Sequence, residues 1–227
     1  MLSSIFGGNW STFLFQVFIR LIVVFTALPI HEFAHGWVAY KLGDNTAKNM
    51  GRLDMNPLRH FDPFGTTCLL LTGFGWAKPV PVNPNNFKNR KSGMALTALA
   101  GPVSNILLAT VILLVYKVLY YFIPFSNQFM NSLLTIFATM VSLNIGLAVF
   151  NLLPVPPLDG AKIFGFFLPD RIYWKVMQYE QFIMIALFAV LMFTNILSWP
   201  INWLSNVVYR GMNFLTGFVD VLARMIL

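Results

Sequence analysis

His31, Glu32 and His35 stand together in a stretch that is otherwise apolar. The chain holds three histidines and two glutamates, and the run His31-Glu32-Phe33-Ala34-His35 contains three of those five residues. On a helix, positions four apart share a face with Cβ atoms about 5–6 Å apart. His31 and His35 can therefore direct both imidazoles at one metal ion. Glu32 is turned away from that pair yet close enough to act on a water beside the metal. The H-E-x-x-H spacing thus supplies two zinc ligands and a general base. Ionisable groups at hydrocarbon depth are costly, and they mark functional sites. The alternative, a chance gathering of polar residues at a helix end, would use up most of the chain's scarce histidine and glutamate.

The elements that position these residues are read from hydropathy. Of 227 residues, 57% are hydrophobic and 10% charged, with a mean hydropathy of +0.69. Soluble domains carry about 25% charged residues, so the composition indicates an all-α polytopic membrane protein of four to six transmembrane helices, organised as a single membrane-embedded domain over residues 1–227. Spans are expected over about Ser11–Tyr40, Ser92–Phe122, Ser132–Leu153 and Phe182–Trp199. Residues 201–227 mix apolar residues with Arg210, Asp220 and Arg224 and suit an interfacial helix or a further, poor span. Residues 41–91 carry eight of the fifteen basic residues. Loops rich in Lys and Arg stay cytoplasmic, which accounts for the net charge of +7 without a nucleic acid partner. Within that loop Phe64–Trp76 is apolar but too short to span, so a re-entrant or interfacial piece is expected. Trp76–Val82 holds two prolines, which exclude a central strand and leave an extended edge strand open. The single cysteine, Cys68, leaves no internal disulfide. Met1–Trp10 has no basic n-region, so no cleavable signal peptide is expected.

A catalytic zinc takes three protein ligands and keeps a fourth position open. His60, Asp44, Asp54 and Asp62 lie in the basic loop, where solvated roles are common. Asp159 lies at the end of the third span, on the same side of the membrane as His35. Its neighbours Pro154, Pro156 and Pro157 unwind the backbone, which is tolerated at membrane depth only inside protein or along a water-filled cavity. From spacing alone Asp159 is either the third ligand or the cap of a helix beginning near Gly160.

The chain resembles the site-2 proteases, membrane-embedded zinc metalloproteases, in their short form without a PDZ or other appended domain. The resemblance covers most of residues 25–165. It rests on His31-Glu-Phe-Ala-His35, Gly43-Asp-Asn-Thr-Ala-Lys48, Phe74-Gly-Trp-Ala-Lys-Pro-Val-Pro-Val-Asn83, Ala100-Gly-Pro-Val-Ser-Asn105 and Asn151-Leu-Leu-Pro-Val-Pro-Pro-Leu-Asp-Gly160. The last of these is far more specific than the first. The resemblance implies that His31, His35 and Asp159 bind zinc and that Asn151 lines the site near the scissile bond. It implies hydrolysis of peptide bonds in or near transmembrane segments of membrane proteins, by a zinc-activated water with Glu32 as base. Asn151 could hold substrate backbone or the oxyanion, or close the proline-broken helix end. A transmembrane substrate must unwind to be cut, and Trp76, Pro79, Val80 and Pro81 could receive it by strand addition or form a plain structural turn. Counting basic residues puts the active site towards the cytoplasmic side of the cell membrane. A metal transporter would instead spread polar residues along several spans, and here they cluster at one depth.

Overall fold

The computed structural model describes residues 10–72, 77–123 and 128–226. Three long helices form its frame: α1 (Trp10–Lys41), α4 (Arg90–Phe122) and α5 (Gln128–Asn151). Between α1 and α4 lie α2 (Thr46–Asn49) and α3 (Pro63–Thr72), with 3₁₀ turns at Pro57–Arg59 and Pro84–Asn86. After α5 come α6 (Asp159–Gly165), α7 (Asp170–Gln178), α8 (Glu180–Phe193), α9 (Ser198–Leu215) and α10 (Gly217–Ile226). No strand occurs among the described residues.

Periodicity explains the packing. On α1, Ile19, Val23, Ala27, His31, His35 and Ala39 are all buried and recur every four residues, one continuous i, i+4 ridge. The two histidines are thus part of the face that α1 buries. On α4, Ala98, Gly101, Asn105, Ala109 and Ile112 are buried at spacings of three and four. Ala109, Ile112 and Leu113 of α4 pack with Val141, Ile145 and Val149 of α5 and Met212 of α9 in one cluster. The opposite faces expose Phe18, Phe25, Leu107, Val111 and Phe129. Apolar residues outside and small or polar ones between helices are the pattern of a bundle solvated by lipid. α1, α4 and α5 are each long and apolar enough to cross a membrane. The chain is therefore an all-α polytopic membrane protein.

Helix ends follow from local chemistry. Asn89 caps α4 by accepting the Ser92 N–H at 3.1 Å. α1 ends where Gly43 adopts φ +106°. The Gly43 and Asp44 N–H groups then bond to the carbonyls of Tyr40 (3.1 Å) and Ala39 (2.9 Å), a Schellman stop that needs glycine at that position.

The span expected over Phe182–Trp199 takes a different form. α8 has 14 residues, about 21 Å at 1.5 Å per residue. Thr194 is extended and a turn leads into α9, because the β-branched Thr194 and turn-forming Asn195 interrupt an otherwise apolar run. Residues 198–226 form two helices that pack against the bundle. Met212 joins the core, and Asp220 of α10 pairs with buried Lys117 of α4 at 2.7 Å.

The loop apolar piece is the helix α3. The edge segment from Ala77 onward is irregular chain whose polar groups are held by side chains and loops. The Lys78 N–H bonds to the His60 carbonyl at 2.9 Å. Arg52 Nη2 donates to the carbonyls of Lys78 (2.9 Å) and Pro79 (3.3 Å). Trp76 lies outside the described residues.

Candidate metal centre

The α1 ridge places His31 and His35 against α4, with ring centroids 4.6 Å apart and planes at 88°. α4 makes room for them through Gly101. A Cβ there would stand 2.5 Å from His35 Cε1 and Nε2 and 2.6 Å from His31 Cε1. Only a residue without a side chain lets both rings lie on that helix.

Asp159 reaches the same point from α6. Leu158 is extended, and Gly160 sits so close to the carbonyls of Leu152 and Leu153 that a Cβ would overlap them. That close approach folds the start of α6 back onto the end of α5. Asp159 is the first residue of the helix and Leu158 occupies the cap position, without a side-chain cap bond. The carboxylate instead faces the imidazoles. Asp159 Oδ2 lies 3.2 Å from His31 Nε2 and 3.2 Å from His35 Nε2. All three side chains are buried.

The donor set fits zinc. Two imidazole nitrogens and one carboxylate oxygen lie within 4.8 Å of one another. Ligands at zinc bond lengths of about 2.0–2.2 Å in a tetrahedron lie roughly 3.3–3.5 Å apart, close to the two Nε2–Oδ2 separations. His35 Nδ1 is 2.7 Å from the Thr97 carbonyl, which can only accept, so Nδ1 carries the proton and Nε2 is left with its lone pair. That lone pair faces Asp159 Oδ2, itself buried without a hydrogen-bond partner. Two electron-rich atoms held together in this way call for a cation between them.

Glu32 is half-buried, and its Oε2 accepts the Val80 N–H at 2.9 Å. The helix turn after His31 thus ties the expected substrate edge to the site. Val80 is buried while Pro79 is exposed. Asn151, the last residue of α5, donates from Nδ2 to the Leu147 carbonyl at 2.9 Å, the helix-closing contact weighed for it above. His60 is buried with Nε2 on the Asp54 carbonyl at 2.7 Å, a role within the loop.

Asp44 departs from the solvated role expected of the loop aspartates. It is fully buried. Its carboxylate accepts from the Thr46 N–H (3.0 Å) and hydroxyl (2.5 Å), the Asn83 N–H (2.7 Å) and Asn86 Nδ2 (2.7 Å). It thereby latches the far end of the Val80 segment to the end of α1. The only sequence signal for this was its place right after the Gly43 helix stop.

Comparison with known proteins agrees with this geometry. The profile of peptidase family M50 matches residues 121–194, the part that contributes Asp159. YwhC of Bacillus subtilis, named as a candidate zinc metalloprotease, is 44% identical over 186 residues, covering 80% of this chain and 83% of its own. Two mycobacterial proteins named Rip2, also candidate zinc metalloproteases, are similar to the chain. The one from Mycolicibacterium smegmatis is 29% identical over 59% of this chain and 51% of its own. The one from Mycobacterium tuberculosis is 27% identical over 87% and 76%. No solved structure matches.

Proposed function

This chain belongs to peptidase family M50, the site-2 zinc metalloproteases whose members cleave within membranes, and on that footing we propose that it hydrolyses peptide bonds in or near transmembrane segments of membrane proteins, with Glu32 as general base. The observation that carries the reading is the convergence of His31 Nε2 and His35 Nε2 on Asp159 Oδ2, each at 3.2 Å. These three side chains hold the metal. Zinc, when bound there, supplies Lewis-acid polarisation of the scissile carbonyl and brings the pKa of water towards neutrality.

The protein's own groups do the rest. Glu32 takes the proton of the attacking water and returns it to the departing amine. Gly101 and the buried walls of α1 and α4 keep the imidazoles fixed and exclude bulk water. Asn151 has amide capacity beyond its bond to Leu147 and orients substrate backbone or the developing oxyanion. Pro79, Val80 and Pro81 receive the unwound substrate, since the prolines present carbonyls without N–H groups and Val80 touches Glu32.

The basic loop joins α1 at the end that bears His35, which supports a cytoplasmic-side active site in the cell membrane. We take residues 1–227 as one membrane-embedded protease domain. The reading is checked with the native chain and Glu32→Gln purified in detergent, each incubated with a glycine- or proline-containing transmembrane peptide. Cleavage by the native protein alone supports it; equal cleavage by both removes Glu32 as the base.

A further inference from the structure

α4 touches both imidazoles, and it does so at regular intervals. Thr97, Gly101 and Asn105 are four residues apart, one ridge of the helix. The Thr97 carbonyl takes His35 Nδ1, Gly101 leaves space for the rings, and Asn105 faces His31. Asn105 is fully buried. Its Nδ2 lies 3.3 Å from His31 Nδ1, and its Oδ1 has no partner.

Those facts decide which proton arrangement suits a metal. If Nδ2 donates to His31 Nδ1, the His31 proton must sit on Nε2, the nitrogen that faces Asp159. A protonated Nε2 cannot bind a cation. The two ends of an amide have nearly the same shape, and their hydrogen-bond network determines which is which. Exchanging them gives Oδ1 a donor, the His31 Nδ1–H, frees the Nε2 lone pair and leaves Nδ2 as the unpartnered end of the amide. Both histidines then donate Nδ1–H to an oxygen of α4 and turn Nε2 to the centre. Ligating histidines are commonly held by such a second partner.

We propose that Asn105 is the positioning residue of the zinc site, its Oδ1 accepting the His31 Nδ1–H and so fixing His31 as an Nε2 ligand. The inference rests on the zinc reading above and assigns this amide to the site rather than to helix packing. Asn105 contacts no reacting atom; it acts through His31.

The experiment measures the zinc dissociation constant of the full chain in detergent by competition with a chromophoric chelator, beside thermal unfolding of the metal-free protein. Asn105→Leu keeps the volume and removes the acceptor; Asn105→Asp keeps an acceptor in the same place. A loss of about 10- to 100-fold in zinc affinity for the leucine variant is expected, with native or tighter binding for the aspartate variant. Metal-free unfolding of the leucine variant stays near the native temperature, since the amide nitrogen that the exchange leaves unpartnered goes together with the acceptor oxygen. Native affinity in Asn105→Leu overturns the proposal, and so does equal weakening in both variants with lowered metal-free unfolding temperatures, the mark of a packing role. Failure of the native chain itself to bind zinc overturns the zinc reading and this inference with it.

Discussion

Glu32 and its neighbours on α1 have separable tasks, and substitution can pull them apart. Glutamine at position 32 keeps an oxygen that can accept the Val80 N–H, so the loop contact at 2.9 Å persists while the carboxylate is gone. Glu32→Gln should therefore lower the turnover of a transmembrane peptide by about 10²–10⁴-fold with zinc content unchanged, read by peptide cleavage and metal analysis on one preparation. Gly101 gives the reverse separation. Alanine there sets a methyl 2.5 Å from the His35 ring, so the imidazoles must shift although helix α4 gains propensity. Gly101→Ala should weaken zinc binding by about tenfold or more, judged against second-sphere changes, while circular dichroism stays helical. At this scale the paired histidines of α1 were legible because their spacing is local. Asn105 shows in the sequence only as the end of the Ala100–Asn105 motif and Asp44 only as a loop carboxylate, since their long-range partners lie 74 and 39 to 42 positions away.

The segment 77–87 before α4 works as an element because two carboxylates hold it. Glu32 holds Val80, and Asp44 holds Asn83 and Asn86. Burial would raise the Asp44 carboxyl, but its hydrogen bonds from Thr46, Asn86 and Asn83 win and lower it. A folded-state value below that of the unfolded chain contributes stability that is present above the unfolded value, about 3.9, and is lost as pH falls through the folded one. Protease nicking of the 77–87 segment should therefore stay slow at neutral pH and quicken only below about pH 4. Asp44→Ala, which strands the Asn83 N–H and Asn86 amide at a cost of about 1–3 kcal/mol each where they stay buried, should quicken it already at neutral pH. The unwound stretch before Asp159 was readable from its prolines and Gly160. The expected fourth span was misjudged in form because hydropathy averages over Thr194 and Asn195, whereas a helix must pass through each of them.

The bundle as a whole is tied together away from the site by Lys117 and Asp220, 2.7 Å apart, about 18 Å along α4 from Asn105 at 1.5 Å per residue. The lysine side chain is 8% exposed and the aspartate 24%. Removing one partner of a buried pair leaves an uncompensated charge and costs about 3–5 kcal/mol, whereas replacing both with apolar residues is often neutral. Lys117→Met should thus unfold at a lower temperature in detergent than the native chain, and the double variant Lys117→Met/Asp220→Leu should recover most of that difference. Sequence alone placed residues 201–227 only as interfacial or spanning. Their docking on α4 and α5 depends on this pair and on Met212, both long-range contacts.

The central claim is that three side chains from two distant parts of the chain hold one zinc ion, and metal stoichiometry tests it most directly. Zinc per chain is measured by mass spectrometry for the native protein, for His31→Ala, His35→Ala and Asp159→Ala, and for Glu32→Gln as the control that spares the ligands. One zinc in the native and Glu32→Gln proteins, with loss or sharp weakening in the other three, is the predicted result. Full zinc occupancy in Asp159→Ala would contradict the account, because the contact that joins α6 to the histidines would then hold no metal.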